Sequence, residues 1–187
     1  MASNPAPGDL ELVRAFINTW DAEDDREDVP GPAELRDWLV EHDLLDAGAR
    51  VTAAEHRQAI SMREALRAVL LANAGLDLDP SAAPVLDEAS RRARLGVRFD
   101  ADGQVHTAPE AGGVAGALGR LLAIVAAAQE EGTWPRLKVC LADDCQWAFF
   151  DLSRNRSAVW CDMKICGNRQ KVRSYRDRHH RPHALHG

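Results

Sequence analysis

The sequence has 187 residues, of which 45% are hydrophobic and 28% charged, and its formal net charge is −6. Such a composition can form the hydrophobic core of one or two domains and excludes a mainly disordered chain. Residues 1–16 lack the basic start and apolar run of a signal peptide, and the apolar residues 114–128 are fewer than the ~20 that span a bilayer, so we expect a cytoplasmic protein without a membrane segment.

The first predicted elements are two helices separated by an acidic segment. The first helix covers residues 9–20, with Asp9 as its N-cap. Its apolar residues at helical spacing are Leu10, Val13, Phe16, Ile17 and Trp20. We expect residues 21–28 to form a solvated acidic loop without a function. Pro32 fits the first turn of a short second helix, whose inward residues are Leu35, Trp38 and Leu39.

A capping box predicts the start of a longer helix. Thr52 and Glu55 have the required spacing, and Gly75 marks the end of the helix. The elements predicted after it are a helix near residues 81–94, a β-hairpin over residues 97–107 and a helix from Pro109 to about Glu131. These elements predict a mostly helical domain with one hairpin, followed by a boundary at residues 131–137.

The cysteines of the sequence are confined to its C-terminal part, as Cys140, Cys145, Cys161 and Cys166. They form two C-x4-C pairs, an arrangement in which four thiolates can surround one tetrahedral Zn²⁺ at about 2.3 Å. Two disulfides, unrelated buried thiols or an iron–sulfur cluster are the alternatives, but a reducing cytoplasm favours a metal, and the plant-type ferredoxin spacing is not met. Because four thiolates close the coordination shell, we expect a structural site that folds a segment too small to have its own core.

The cysteine segment is predicted to form a β-hairpin followed by a helix. The predicted strands are residues 147–153 and residues 158–161, on either side of a polar turn. The helix runs from Arg169 to about His179, and Gly167 just before it is expected to have a positive φ.

Charge is divided unevenly along the chain. Residues 1–137 carry 13 Lys and Arg against 24 Asp and Glu, a net charge of −11, whereas residues 138–187 carry 10 against 5, a net charge of +5. On the predicted basic helix we expect Val172 and Tyr175 to pack against the metal core, leaving arginines on another face. Such a surface is expected to bind DNA through phosphates or guanine edges. The residues predicted to contact DNA are Arg154, Arg156, Arg169, Lys171, Arg173, Arg176 and Arg178.

Residues 140–178 closely resemble the CGNR zinc finger, a family named after the tetrapeptide found here as Cys166, Gly167, Asn168 and Arg169. The further matching residues are Phe149, Asp151, Ser153, Arg154, Asn155, Trp160 and Met163. The resemblance implies that the four cysteines bind zinc and that the finger binds DNA in a bacterial transcription regulator. Ala158 and Val159 depart from the basic or polar residue typical before the tryptophan, which removes one phosphate contact. Residues 16–45 resemble the opening of the ABATE domain, which often accompanies this finger and is proposed to sense stress or a ligand.

These features predict an α+β protein with two parts. Residues 1–132 are predicted to be a mostly helical, ABATE-like domain with one β-hairpin, and residues 136–181 a small zinc-binding module of hairpin and helix. The leading functional prediction is a transcription regulator in which the first domain senses a small-molecule effector or forms a homodimer while the finger binds DNA.

Two other classes of function are weighed against this prediction. One is a zinc-stabilised protein-interaction module, in which the basic finger docks onto an acidic surface such as the first domain of its own chain. The other is an enzyme, which we do not expect, because the sequence has no evident nucleophile and base, phosphate loop or open metal site. No ligand-binding residue can be assigned from the sequence.

Overall fold

The computed structural model of the protein describes residues 4–179, without the side chains of Ser174 and residues 177–179. The helices are α1 Leu10–Ile17, α2 Pro32–Glu41, α3 Ala53–Asn73, α4 Ala82–Ala93, α5 Gly113–Glu130 and α6 Asn168–His179. The strands pair antiparallel: β1 Trp20–Asp21 with β2 Arg26–Glu27, β3 Leu95–Phe99 with β4 Val105–Pro109, and β5 Leu137–Val139 with β6 Ala148–Phe150. The predicted class, a mostly helical α+β fold with a small C-terminal cysteine module, is confirmed.

The first helix is shorter than predicted. α1 ends at Ile17, and Trp20 lies in β1 rather than in the helix. The side-chain amide of Asn18 donates to the backbone carbonyl of Ala148 at 3.0 Å, and its oxygen accepts from the Ala148 N–H at 2.8 Å. These bonds draw the chain out of the helix toward β6. Asp9 is the N-cap residue of this helix, as predicted, although its side chain makes no capping hydrogen bond.

The acidic segment 21–28 is a small hairpin, so the prediction of a solvated loop is wrong. The Asp21 side chain is buried, and its Oδ1 accepts a hydrogen bond from the Glu23 N–H at 3.0 Å. Glu27 accepts two hydrogen bonds, each of 2.7 Å, from the buried guanidinium of Arg63 on α3. Glu27 thus has a partner from a distant part of the chain, which a run of charge in the sequence does not reveal.

The remaining secondary-structure predictions for the N-terminal part are confirmed. Pro32 lies in the first turn of α2. Thr52 and Glu55 form both hydrogen bonds of the capping box at the start of α3. The β3–β4 hairpin has Phe99 opposite Val105, and α4 and α5 lie within their predicted limits. Local sequence signals therefore locate these elements correctly.

One hydrophobic core joins α1, α2, α3, α5 and the β5–β6 pair. Its largest fully buried side chains include Phe16, Ile17, Leu35, Leu39, Met62, Leu66, Leu70, Leu121 and Leu137. α5 has the length and mean hydropathy, 18 residues and 1.2, of a candidate membrane span. It packs against α1, α4 and β4. Its apolar character is therefore that of a core helix.

The β5–β6 pair differs from the predicted hairpin. β6 pairs with β5, with Leu137 opposite Phe150, whereas residues 158–161 form no strand. Every residue of β5 and β6 is buried. Leu137, Val139, Ala148 and Phe150 belong to the common core, whereas Phe149 packs with the four cysteines in a second cluster. The predicted boundary at residues 131–137 stays a prediction. Trp134, at that point of the chain, is buried in the same core.

Candidate metal centre and basic surface

The first two cysteines lie in the turn between β5 and β6. The Cys140 N–H donates to the Trp147 carbonyl at 3.0 Å, and the Cys145 N–H donates to the Ala142 carbonyl at 2.9 Å. Gln146 follows with a positive φ of 51°. These features close a tight loop, and both cysteine side chains are buried within it.

The second two cysteines flank a π-helical turn, Met163–Gly167. Asp162 caps this turn, because its Oδ1 accepts a hydrogen bond from the Lys164 N–H at 2.6 Å. The predicted positive φ of Gly167 is wrong. The close approach of the chain to Met163 accounts for the glycine instead. A Cβ at this position would lie 2.5 Å from the Met163 Sδ, so a larger residue would have to displace that side chain.

The four cysteine sulfurs converge in one buried cluster. All four lie within 4.8 Å of one another, and the Cys161 Sγ lies 3.6 Å from the Sγ atoms of Cys145 and Cys166. Four ligands at about 2.3 Å from a tetrahedral centre are about 3.8 Å apart, so this spacing fits a single ion. The cysteines are free thiols rather than disulfides. A multi-iron cluster would need room for several irons and sulfides between the thiolates.

Proton sharing explains why the cluster suits a cation. Hydrogen bonds from the Cys145 and Cys161 thiols lower the pKa of Cys140, and the Cys140 thiolate in turn raises the pKa of Cys145 and of Cys161. Burial raises the pKa of Cys166. Without a cation, ionisation of one thiol therefore opposes ionisation of the others. A divalent ion reverses this balance, since metal-bound thiols are deprotonated.

A buried ion pair organises the loop that follows β6. The Lys138 Nζ donates to the Asp151 carboxylate at 2.8 Å and to the backbone carbonyls of Arg156 and Ala158 at 2.6 and 3.2 Å. The two charged side chains are only 5% and 0% exposed. Although burial opposes ionisation, Lys138 lowers the pKa of Asp151. The pair thus fixes a loop from which the side chains of Arg154 and Arg156 are exposed.

Two arginines of α6 are bound by carboxylates. Arg169 donates to Glu23 at 2.8 Å and to Asp144 at 3.1 Å. Arg173 lies 3.3 Å from Asp143 and 3.4 Å from Asp144. The hydrogen bonds to Glu23 and Asp144 raise the pKa of Arg169, and Arg169 lowers the pKa of Asp144. Part of the predicted basic face is therefore neutralised within the chain.

The other predicted DNA contacts are exposed or lie outside the described side chains. Four basic residues are exposed and have no ion pair among the side chains that the structure describes: Arg154, Arg156, Lys171 and Arg176. Arg178 belongs to α6, but its side chain lies outside the described ones. The prediction that Val172 and Tyr175 pack on the metal core is wrong, because they are 51% and 58% exposed.

α6 also contributes to a depression in the surface with a volume of about 410 Å³. Its lining residues are Asn168, Arg169, Val172, Arg173 and Arg176. Guanidinium groups suit an anion rather than a neutral ligand, but Arg169 and Arg173 already have carboxylate partners, so Arg176 is the lining arginine without an ion pair among the described side chains.

Two arginines of α3 are buried, and the sequence analysis missed both. Arg67 connects the N-terminal part to the cysteine loop, because it donates to the Ile17 carbonyl at 2.6 Å and to the carbonyl of Gln146, next to Cys145, at 2.9 Å. Arg63 donates to Thr19 and Glu27. The available signal was their four-residue spacing within the apolar face of α3, since a buried charge needs a partner.

Two family models match this chain in adjacent segments. The model of the CGNR zinc finger matches residues 136–179. The ABATE model, described as "Putative stress-induced transcription regulator", matches residues 10–130, which is more than half of the chain. No curated protein matches the chain. The cysteine cluster thus lies in a segment similar to known zinc fingers, and the helical core in one similar to a regulator domain.

Proposed function

Because the chain belongs to the ABATE family and ends in a CGNR zinc finger, we propose that it is a DNA-binding transcription regulator whose four cysteines hold Zn²⁺. Cys140, Cys145, Cys161 and Cys166 would bind the ion. When bound, it would supply structural cross-linking through a closed thiolate shell, with no open position for a substrate. We accordingly propose a binding role rather than catalysis, in the cytoplasm.

The depression lined by Arg169, Arg173 and Arg176 carries this proposal. Guanidinium groups bind phosphate oxygens bidentately, and a helix that presents several of them can follow a nucleic-acid backbone. Substitution of Arg176 gives the most informative test, because its side chain is exposed and no described carboxylate neutralises it. Arg154 and Arg156 would add contacts from the loop after β6.

The test is the salt dependence of binding by the zinc-loaded full chain to a mixed-sequence DNA duplex. We expect the affinity to fall with salt and Arg176→Gln to reduce the log–log slope by about 0.9, the value for one phosphate contact. Arg173→Ala should have a smaller effect, since Arg173 already has carboxylate partners. Arg57→Gln on α3 is the charge-matched control. Absence of binding, or an affinity that does not depend on salt, would overturn the proposal.

For effector sensing, we infer that a groove between α3, α4 and α5 is the binding site. The groove has a volume of about 560 Å³, within the usual range for small-molecule sites. Val85 and Leu118 are among its apolar lining residues, and Arg57 and Arg92 lie among its polar ones. Arg92 is paired with Glu88, whereas Arg57 has no partner among the described residues. An apolar molecule with one anionic group matches this lining.

The effector proposal can be tested with anilinonaphthalene sulfonate, an apolar sulfonate whose fluorescence rises in apolar sites. Saturable binding to the folded protein, weakened by Val85→Asp and by Arg57→Gln, is expected. Arg36→Gln, which changes an exposed arginine of α2, is the control for net charge. Equal binding by all variants would exclude this groove.

A further inference from the structure

We propose that the ion pair between Glu23 and Arg169 is a latch, through which the N-terminal part of the chain holds α6 and competes with a polyanion for Arg169. The turn that carries Glu23, residues 22–25 between β1 and β2, is called the acidic turn below. Only the effect of the latch on DNA affinity depends on the proposed function. The contact itself does not.

The latch joins two residues that lie far apart in the sequence. The Arg169 Nη2 donates to the Glu23 Oε1 at 2.8 Å, across a separation of 146 residues. The two side chains are 30% and 32% exposed, so the pair is partly shielded from solvent. Arg169 lies in the first turn of α6, which begins two residues after Cys166. Its position therefore affects how the whole helix leaves the metal centre.

The acidic turn is held rigidly on its other side. The buried Asp21 carboxylate accepts hydrogen bonds from the N–H groups of Glu23 and Asp24, at 3.0 and 3.4 Å. Glu27, at the end of the hairpin, binds the guanidinium of Arg63, which is 4% exposed. Glu23 thus lies on a turn that these hydrogen bonds connect to α3. Its contact with Arg169 therefore costs little further conformational entropy of the turn.

α6 has few apolar contacts that could replace this contact. Val172 is 51% exposed, and Arg169 and Arg173 provide the ion pairs that join α6 to other elements among its described side chains. Two of the three carboxylates involved, Asp143 and Asp144, belong to the finger itself. Among the carboxylates that the structure describes on Arg169 and Arg173, Glu23 is the one from outside the finger, so this contact is a point at which the N-terminal fold can influence the arginine surface.

Anion binding and the latch compete at Arg169. A phosphate that binds Nη1 and Nη2 of this guanidinium together competes with Asp144 and with Glu23, because these carboxylates accept hydrogen bonds from the same two nitrogens. Partly exposed ion pairs of this kind change equilibria by small factors. Loss of the Glu23 charge should therefore raise DNA affinity about two- to five-fold. A conformational change in the N-terminal part that moved the acidic turn away from Arg169 should also raise DNA affinity.

The experiment compares Glu23→Gln with Asp24→Asn in the zinc-loaded full chain. Both substitutions remove one negative charge from the acidic turn, but only Glu23 touches Arg169, whereas Asp24 lies 3.5 Å from Arg26. Affinity for a mixed-sequence duplex is measured by fluorescence anisotropy at fixed salt, alone and in an Arg169→Gln background. Amide hydrogen exchange of α6 is measured on the same proteins without DNA.

The latch requires that Glu23→Gln bind DNA about two- to five-fold more tightly than Asp24→Asn and that this difference disappear in the Arg169→Gln background. Equal affinities of the two single variants, or a difference that persists without Arg169, would overturn it. If no variant binds DNA, the proposed function fails. Hydrogen exchange then decides on the latch: faster exchange of α6 amides in Glu23→Gln than in Asp24→Asn supports it, and equal exchange refutes it.

Discussion

The two halves of the zinc-finger segment are anchored in different ways. In residues 137–150, every residue of β5 and β6 is buried, and Asn18 and Arg67 bind the backbone of this half from the N-terminal part. In residues 152–179, exposed apolar side chains predominate among the large hydrophobic ones: Leu152, Met163, Ile165, Val172 and Tyr175. The strands of the first half contribute to the main hydrophobic core, whereas the second half contributes only to the small buried cluster around the cysteines.

The metal centre lies across this division. Cys140 and Cys145 come from the buried half, whereas Cys161 and Cys166 come from the exposed half. A single ion bound by all four would join a preformed half-site to a segment with little core of its own. We therefore expect that metal would be needed less to fold the finger as a whole than to attach its arginine helix to an existing support.

Metal removal is expected to have the largest effect, and it tests this comparison directly. Structural zinc contributes roughly 10–16 kcal/mol to folding in small modules, and here that energy should act on the exposed half. After chelation of the full chain, amides of residues 161–176 should lose protection from hydrogen exchange while those of β5, β6 and α3 keep theirs. Cys161→Ser should reproduce this pattern without a chelator.

Equal loss of protection in β5 and β6 would contradict the division between the halves. Unchanged protection in both halves would show that the cysteine cluster does not depend on metal. A matched control is Ser157→Ala, which changes an exposed residue of the loop after β6 and should leave exchange of both halves as it is.

The buried ion pair provides the second test. Lys138→Met leaves the Asp151 carboxylate, which is 0% exposed, without its cation, and removal of one partner of such a pair costs about 3–5 kcal/mol. Urea unfolding at pH 7 should show this loss. The second substitution Asp151→Asn should restore part of it, because the buried charge is then removed. Lys164→Met, on the exposed half, should change the free energy of unfolding by less than about 0.5 kcal/mol. If Lys138→Met lowered the free energy of unfolding by no more than Lys164→Met, the loop after β6 would lie outside the cooperatively unfolding core.

Asn18→Ala is expected to have a smaller effect, confined to the contact between α1 and β6. It removes two hydrogen bonds to the Ala148 backbone and should cost about 1–3 kcal/mol. Hydrogen exchange of the Ala148 amide should accelerate by more than that of residues in α4. Asn155→Ala, in the exposed half, serves as the control. If both variants unfold at the same urea concentration as the parent, Asn18 does not anchor the finger.

Most of the local structure and much of the candidate metal site could be predicted from the sequence. Thr52, Pro32 and the alternation around residues 100–103 act over a few residues, so their signals survive without knowledge of the fold. The cysteine spacing brings four ligands together for the same reason. These are features in which neighbours in the sequence are also partners in space.

The predictions that fail involve partners far along the chain. β5 replaces residues 158–161 as the partner of β6 because its side chains complete the N-terminal core. From the sequence alone Glu27 is predicted to be a solvated charge, because its partner Arg63 lies 36 residues away on α3. The sequence predicts that Arg169 contacts DNA, but in the structure it donates to Glu23, which lies 146 residues away in the chain. Tertiary packing and long-range ion pairs leave no periodic pattern, so sequence periodicity could not identify them.

The smallest expected effect is on the acid sensitivity of the N-terminal part, and Glu27 provides the test. Burial opposes ionisation of Glu27, but its hydrogen bonds from Arg63 prevail and lower its pKa below the ordinary 4.5. A carboxyl whose folded pKa is lowered stabilises the protein fully above its unfolded pKa, and this contribution is lost as the pH falls through the folded value. Glu27→Gln should therefore reduce the decline in the free energy of unfolding below about pH 4.5, whereas Glu34→Gln should leave that decline unchanged.

Because protons also displace metal from thiolates, the unfolding should be measured on chelated protein, in which we expect only the core to unfold cooperatively. Parallel pH profiles for Glu27→Gln and the parent would mean that the β1–β2 hairpin opens independently of the core. In that case the hairpin would lie outside the cooperatively unfolding core, as we expect for the exposed half of the finger.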